Sequence, residues 1–132
     1  MNLYADIVLD LWRNPQNFGE LENPDFEAHE LNPLCGDEVK IQLKLKKTDG
    51  RQQVDCCKFT GNGCVISVAA ASLLTEYIKG KELTELTKLT EKNVISLLRI
   101  EIGFQRIKCA ILPLIALKKA INGVDEKIKS QN

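Results

Sequence analysis

A chain of 132 residues with 44% hydrophobic content can fill one compact core and not comfortably two, so a single domain spanning 1–132 is expected. Eighteen lysines and arginines balance eighteen aspartates and glutamates, which leaves no general electrostatic pull toward nucleic acid or an anionic membrane; partners must be recognised locally. The opening residues show no basic segment leading into an apolar run, and no stretch nears the roughly 20 apolar residues of a membrane span, so a cytoplasmic protein is expected.

The first element is read from Leu3, Tyr4, Ile7, Val8 and Leu11, whose helical spacing makes one apolar stripe. It stops at Asn14-Pro15-Gln16-Asn17-Phe18-Gly19, because a proline drives its predecessor away from helical geometry and the Asn and Gly residues favour a turn. A short strand is read over Asp25 to Leu31. It contains the only histidine, His29, taken as an ordinary strand residue rather than a ligand. Val39, Ile41, Leu43 and Leu45 then alternate with Lys40, Gln42, Lys44 and Lys46, the period of a strand with one buried face. Thr48-Asp49-Gly50 turns the chain, and Arg51 to Thr60 returns as the second arm of an antiparallel hairpin. Its two open ends, Cys35-Gly36-Asp37 and Gly61-Asn62-Gly63-Cys64, must therefore lie side by side.

From Cys64 to Lys79 the chain reads as a helix closed by Gly80, with an alanine-rich face suited to close packing on the sheet. Lys81 to Leu89 and Glu91 to Arg99 give two shorter helical patterns. A last helix starts near Lys108 or Cys109 and runs to about Ile121, with Pro113 placed in its first turn, where a missing N–H has no partner to lose. Residues 124–132 are read as a polar tail.

Five cysteines, an odd number, point to thiol or metal chemistry rather than a disulfide framework. Cys64 and Cys109 are each placed at a helix start, where aligned peptide dipoles and unpaired N–H groups favour a thiolate. Cys35 lies in a loop between Pro33 and Gly36, two residues before Asp37. Cys56 and Cys57 are adjacent on a strand and so face opposite ways. Cys57 is expected to share its side with Phe59, and Cys56 with Val54, as packing residues rather than ligands.

The blocks Asn32-Pro33-Leu34-Cys35-Gly36-Asp37, Gly63-Cys64-Val65-Ile66-Ser67 and Arg106-Ile107-Lys108-Cys109-Ala110-Ile111-Leu112 resemble the three cysteine motifs of the iron-sulfur cluster assembly proteins IscU, SufU and the N-terminal domain of NifU. The opening through Gly19 resembles that family's first helix and turn. The resemblance implies an α+β fold, a three-stranded antiparallel sheet covered by helices, with Cys35, Asp37, Cys64 and Cys109 as ligands. It also implies a cysteine desulfurase as sulfur donor, iron, acceptor apo-proteins, and zinc at the same ligands; a homodimer is within what it allows. Two departures pull opposite ways. Lys108 stands where IscU usually has His, as in SufU, while the 45-residue interval from Cys64 to Cys109 lacks the SufU insertion. Ile102-Gly103-Phe104-Gln105-Arg106 replaces the chaperone-binding Leu-Pro-Pro-Val-Lys of IscU.

The leading reading is a scaffold that assembles a 2Fe-2S cluster and releases it, since thiolates hold iron firmly while one carboxylate leaves an exchangeable corner. The alternative is a zinc-dependent sulfurtransferase, a sulfur carrier rather than a scaffold. A closed structural zinc site ranks last, because such sites use Cys and His. Cys35 is assigned as the sulfur acceptor, because its loop can move to a partner's persulfide without unwinding a helix.

Overall fold

The computed structural model describes residues 3–32 and 36–130, with the backbone alone from 123 onward. Helix α1 (Leu3–Arg13) precedes three strands, β1 (Phe26–Asn32), β2 (Asp37–Thr48) and β3 (Arg51–Asn62), which form an antiparallel sheet in the order β1-β2-β3. Helices α2 (Val65–Tyr77), α3 (Leu83–Leu86) and α4 (Glu91–Leu98) follow, then a 3-10 turn over Phe104–Arg106 that leads into α5 (Ile107–Ser130). The α+β fold with a three-stranded antiparallel sheet is thus the one the resemblance implied.

The β2–β3 hairpin is closed by Asp49 and Gly50, both with positive φ, at 53° and 78°. Two left-handed residues between Thr48 and Arg51 make the tight turn whose twist matches that of paired strands, which is why an Asp-Gly pair sits there. The alternation on β2 delivers Val39, Ile41 and Leu43 to the core, as its period requires.

On β3 strict alternation fails. Lys44 pairs with Cys56 but Leu45 pairs with Val54, so Asp55 is an extra residue in a β-bulge. The bulge flips the phase, and Val54 faces the core together with Cys57 and Phe59 while Cys56 is left half-buried on the other face. The expected pairing of Cys56 with Val54 on one side is therefore wrong, and the packing role of Cys57 is right.

Burial, reinforced by the neighbouring Cys56, pushes the Cys57 thiol from an ordinary 9.0 up to about 12. Between those values the unfolded chain sheds this proton while the folded chain keeps it, so stability falls as pH rises. The loss is about 1.4 kcal/mol per pH unit. Urea unfolding of the parent between pH 9 and 11, set against Cys57→Ala, should show a steeper alkaline decline in the parent. Parallel slopes would contradict this.

Helix α2 is buried along most of its circumference: Ala69, Ala70, Ala71 and Ser72 are consecutive and no more than 1% exposed. The helix packs against α1, α4 and α5 as well as β3, so small residues along it serve close helix approach and not the sheet alone. Helix α5 lies across β1 and β2. Helix α1 buries only Val8 and Leu11, whereas Leu3, Tyr4 and Ile7 of the expected stripe are 68%, 40% and 42% exposed. A helix resting chiefly on one neighbour, here α2, needs only a narrow apolar seam.

The Asn-Pro-Gln-Asn-Phe-Gly turn closes the outer edge of β3. Phe59 N–H donates to the Asn17 carbonyl and Gly19 N–H to the Phe59 carbonyl, each at 2.9 Å. Asn17 also donates from Nδ2 to Thr75 Oγ1 at 3.1 Å and to Glu76 Oε2 at 3.0 Å. The latter bond, with help from Lys79, holds the Glu76 carboxyl below its ordinary range. Further along the same edge, Val54 exchanges bonds of 2.9 Å with Gly80 and Lys81. The edge is thereby paired at Val54 and Phe59, which shortens the stretch open to another strand.

Two expectations about α5 need correction. The helix begins at Ile107, so Pro113 lies inside it rather than in its first turn. There the ring gives up one N–H that a helix interior normally uses. The helix also continues past Asn122-Gly123 to Ser130 instead of ending near Ile121. A single glycine costs a helix only about 1 kcal/mol, too little to stop it by itself.

Candidate metal centre

Three elements that are remote in sequence meet at one end of the sheet. Asp37 opens β2, opposite Asn32 of β1, and the next residue, Glu38, pairs with Asn62 at the end of β3. Two residues beyond that strand end, Cys64 takes an extended conformation (φ −71°, ψ 170°) as the N-cap of α2, so the chain turns directly from sheet to helix at this residue. Cys109 falls in the first turn of α5, which crosses the same end. The potential ligand atoms of Asp37, Cys64 and Cys109 all lie within 4.8 Å of one another. Asp37 and Cys109 are buried, at 4% and 5% exposure, and Cys64 is half-buried.

The two oxygens of Asp37 differ. Oδ1 accepts the backbone N–H of Cys64 at 3.2 Å, which ties the carboxylate to the start of α2. Oδ2 is buried with no hydrogen-bond partner among the described residues. A buried carboxylate oxygen left this way is costly unless a cation or donor meets it. Two sulfurs and this oxygen, converging in a partly closed corner, are a donor set fit for zinc or iron.

Tight backbone approaches hold the corner together. A Cβ on Gly61 would stand 2.2 Å from the Glu38 carbonyl oxygen, and one on Gly63 would stand 2.2 Å from Ser67 Oγ and 3.2 Å from the Asp37 carboxylate carbon. Any side chain at residue 63 must push Ser67 or Asp37 aside. Gly63→Ala is therefore expected to weaken metal affinity about 10- to 100-fold while the chain stays folded. Titration against a chromophoric chelator measures this, and an unchanged affinity would show that the contact is dispensable.

Of the four residues expected to act together, the structure brings together Asp37, Cys64 and Cys109; Cys35 lies outside the described residues. Cys56 and Cys57 are not part of the cluster; they lie in the middle of β3, opposite Lys44 and Leu43 of β2. His29 is half-exposed, with Nε2 3.3 Å from Glu38 Oε2 on the sheet surface, and is not part of the cluster. The sequence reading missed Ser67, whose hydroxyl lies beside Cys64. Its signal was the spacing of three residues from the N-cap, which puts both side chains on one face of the helix start.

A family model described as "NifU-like N terminal domain" matches residues 3–131. The chain is 36% identical over 133 residues to the "Iron-sulfur cluster assembly scaffold protein IscU 1" of Archaeoglobus fulgidus, covering 96% of this chain and 84% of that one. It is 35% identical over 138 residues to the "Zinc-dependent sulfurtransferase SufU" of Bacillus subtilis, covering 90% and 89%. The fold matches the crystal structure of a nitrogen-fixing NifU-like protein (N-terminal) from Brucella abortus with a TM-score of 0.70 and 21% identity, over 96% of this chain and 94% of that one. Among the described residues no helix is long and apolar enough to cross a membrane.

Proposed function

Since this chain belongs to the family of NifU-like N-terminal domains, we propose that it is an iron-sulfur cluster assembly scaffold, working as a single domain in the cytoplasm. The observation that carries the proposal is the convergence of Asp37, Cys64 and Cys109 within 4.8 Å, with the buried Asp37 Oδ2 turned to no other partner among the described residues. Cys35, two residues before Asp37 in the first motif, supplies the third thiolate. The cluster is cargo: three sulfur ligands hold iron, and the single carboxylate is the ligand an acceptor's thiol displaces most readily.

Sulfur arrives by displacement. A cysteine thiolate attacks the outer sulfur of a desulfurase persulfide, forming a new S–S bond as the old one breaks, and the donor's cysteine departs as a thiolate. Each sulfur so delivered takes up two electrons from an external reductant to become sulfide. Cys35 is the proposed acceptor, because Cys64 and Cys109 are both built into helix starts. Single Cys35→Ser, Cys64→Ser and Cys109→Ser variants, incubated with a desulfurase and radiolabelled cysteine and resolved without reductant, test this. Label should vanish only from Cys35→Ser. Full label there with loss on Cys109→Ser would move the acceptor, and an unlabelled parent would refute sulfur acceptance altogether.

A second reading has its own support. Identity to the SufU sulfurtransferase, 35%, is nearly that to the IscU scaffold, 36%, and the Arg106-Ile107-Lys108-Cys109-Ala110 run has the SufU character. In that reading zinc resides on the same four ligands and the domain carries sulfur without building a cluster. Both readings require a desulfurase partner; only the scaffold reading requires an iron-dependent product.

A further inference from the structure

Ser67 occupies the third helical position of α2, where its side chain points back toward the N-cap residue Cys64. It is 5% exposed, and its hydroxyl addresses two atoms of Cys64. Ser67 Oγ donates to the Cys64 carbonyl oxygen at 3.2 Å, and the Cys64 thiol faces Oγ from 4.0 Å as the donor. The carbonyl does not depend on the hydroxyl, because Val68 N–H donates to the same oxygen at 3.2 Å. The space over Gly63 is filled by Oγ, so the hydroxyl is wedged against the one turn of backbone that delivers Cys64 to the cluster.

Resting on the reading that Cys64 is a metal ligand, we propose that Ser67 is a positioning residue whose hydroxyl donates to the Cys64 thiolate in the loaded protein and weakens that sulfur's electron donation. When Cys64 gives up its proton to bind metal, the S–H that faced Oγ is gone and an anion stands in its place. Rotation of the hydroxyl then exchanges a neutral carbonyl, already served by Val68, for a charged acceptor. Hydrogen bonds to ionised partners are about twice as strong as neutral ones, so the exchange is downhill. A ligand that receives such a bond is held in orientation and is a poorer nucleophile. Cys64 is thereby the retained thiolate of the site, which leaves sulfur acceptance to another cysteine.

Cobalt(II) is the probe, loaded into the parent, Ser67→Ala and Ser67→Thr, and into Cys64→Ser with and without Ser67→Ala. Ser67→Ala adds no atoms, and its loaded form should keep the ligand-field bands of the parent. Its thiolate-to-cobalt charge-transfer band should move to lower energy, because a sulfur without the hydrogen bond gives up electrons more easily. Ser67→Thr, which keeps the hydroxyl, should restore the parent position. In the Cys64→Ser background Ser67→Ala should change nothing. An unmoved band in Ser67→Ala, a Ser67→Thr spectrum that follows Ser67→Ala, or a shift that persists without Cys64 would each overturn the assignment. A parent showing no thiolate-to-cobalt band at all would instead remove the metal site, and this role with it.

Discussion

Asp37→Ala is expected to hold an assembled cluster and pass it to an apo-ferredoxin at least about tenfold more slowly than the parent, a barrier raised by ~1.4 kcal/mol. The carboxylate is the hard, weak ligand among thiolates, and with Oδ1 accepting the Cys64 N–H, Oδ2 is the oxygen without a hydrogen-bond partner among the described residues and the one free to bind. That single oxygen is the corner an incoming thiol can take. Removing it leaves three sulfur ligands and no readily displaced one. The same change strips an acceptor from the Cys64 N–H, at a cost of about 1 kcal/mol in stability. Asp37→Asn, which preserves an oxygen for that N–H but lacks the charge, separates the two effects. It should share slow release with Asp37→Ala while recovering most of the stability. Transfer by Asp37→Ala at the parent's rate would refute the role given to this residue.

Stripping the metal should lower the melting temperature by about 10 °C. The ligands come from the start of β2, the N-cap of α2 and the first turn of α5, with Cys35 in the connection between β1 and β2, so a bound ion ties together segments that the chain alone links only through the core. A metal that binds only the folded state adds about 2.7 kcal/mol at a hundredfold excess over its dissociation constant. For a domain of this size that corresponds to roughly 3–4 °C per kcal/mol. The shift should vanish in Cys109→Ser, whose apo and metal-treated melting curves should coincide. Superimposable curves for the parent before and after verified chelation would contradict the coupling.

Much of this arrangement could be read from the chain because it follows from local chemistry. The alternation from Val39 to Leu45, the Asp49-Gly50 turn and the small-residue run after Cys64 each dictate one geometry. Two of them together bring Asp37 against Cys64. The cysteines at 64 and 109 were legible as site residues by their place at helix starts, which the structure keeps.

What could not be read depends on contacts remote in sequence. The bulge at Asp55 is set by pairing with β2 and by the need to bury both Val54 and Cys57, and no residue in that stretch is a glycine or proline that would mark it. The start of α5 lies earlier than a first-turn Pro113 suggests. Burial of Pro113 in the core lets tertiary packing override a local preference. The buried seam of α1 is narrower than its apolar stripe, since spacing shows which residues share a face but not how much of that face a neighbour covers. Ser67 carries only the weak signal of its three-residue spacing from Cys64, because its importance lies in a distance to that cysteine and a steric conflict at Gly63.

The central claim, that Cys35, Asp37, Cys64 and Cys109 hold an iron-sulfur cluster that is built there and released, is tested most directly by metal analysis and absorption spectra. Protein purified without oxygen would be measured before and after incubation with iron, cysteine, a reductant and a desulfurase. The scaffold account predicts a visible charge-transfer spectrum that develops only with the full mixture, with two irons and two sulfides per site, and that disappears when an apo-ferredoxin is added. One zinc per chain that persists unchanged through the incubation, with labelled sulfur accepted and no coloured product, would contradict it and make the domain a zinc-dependent sulfur carrier.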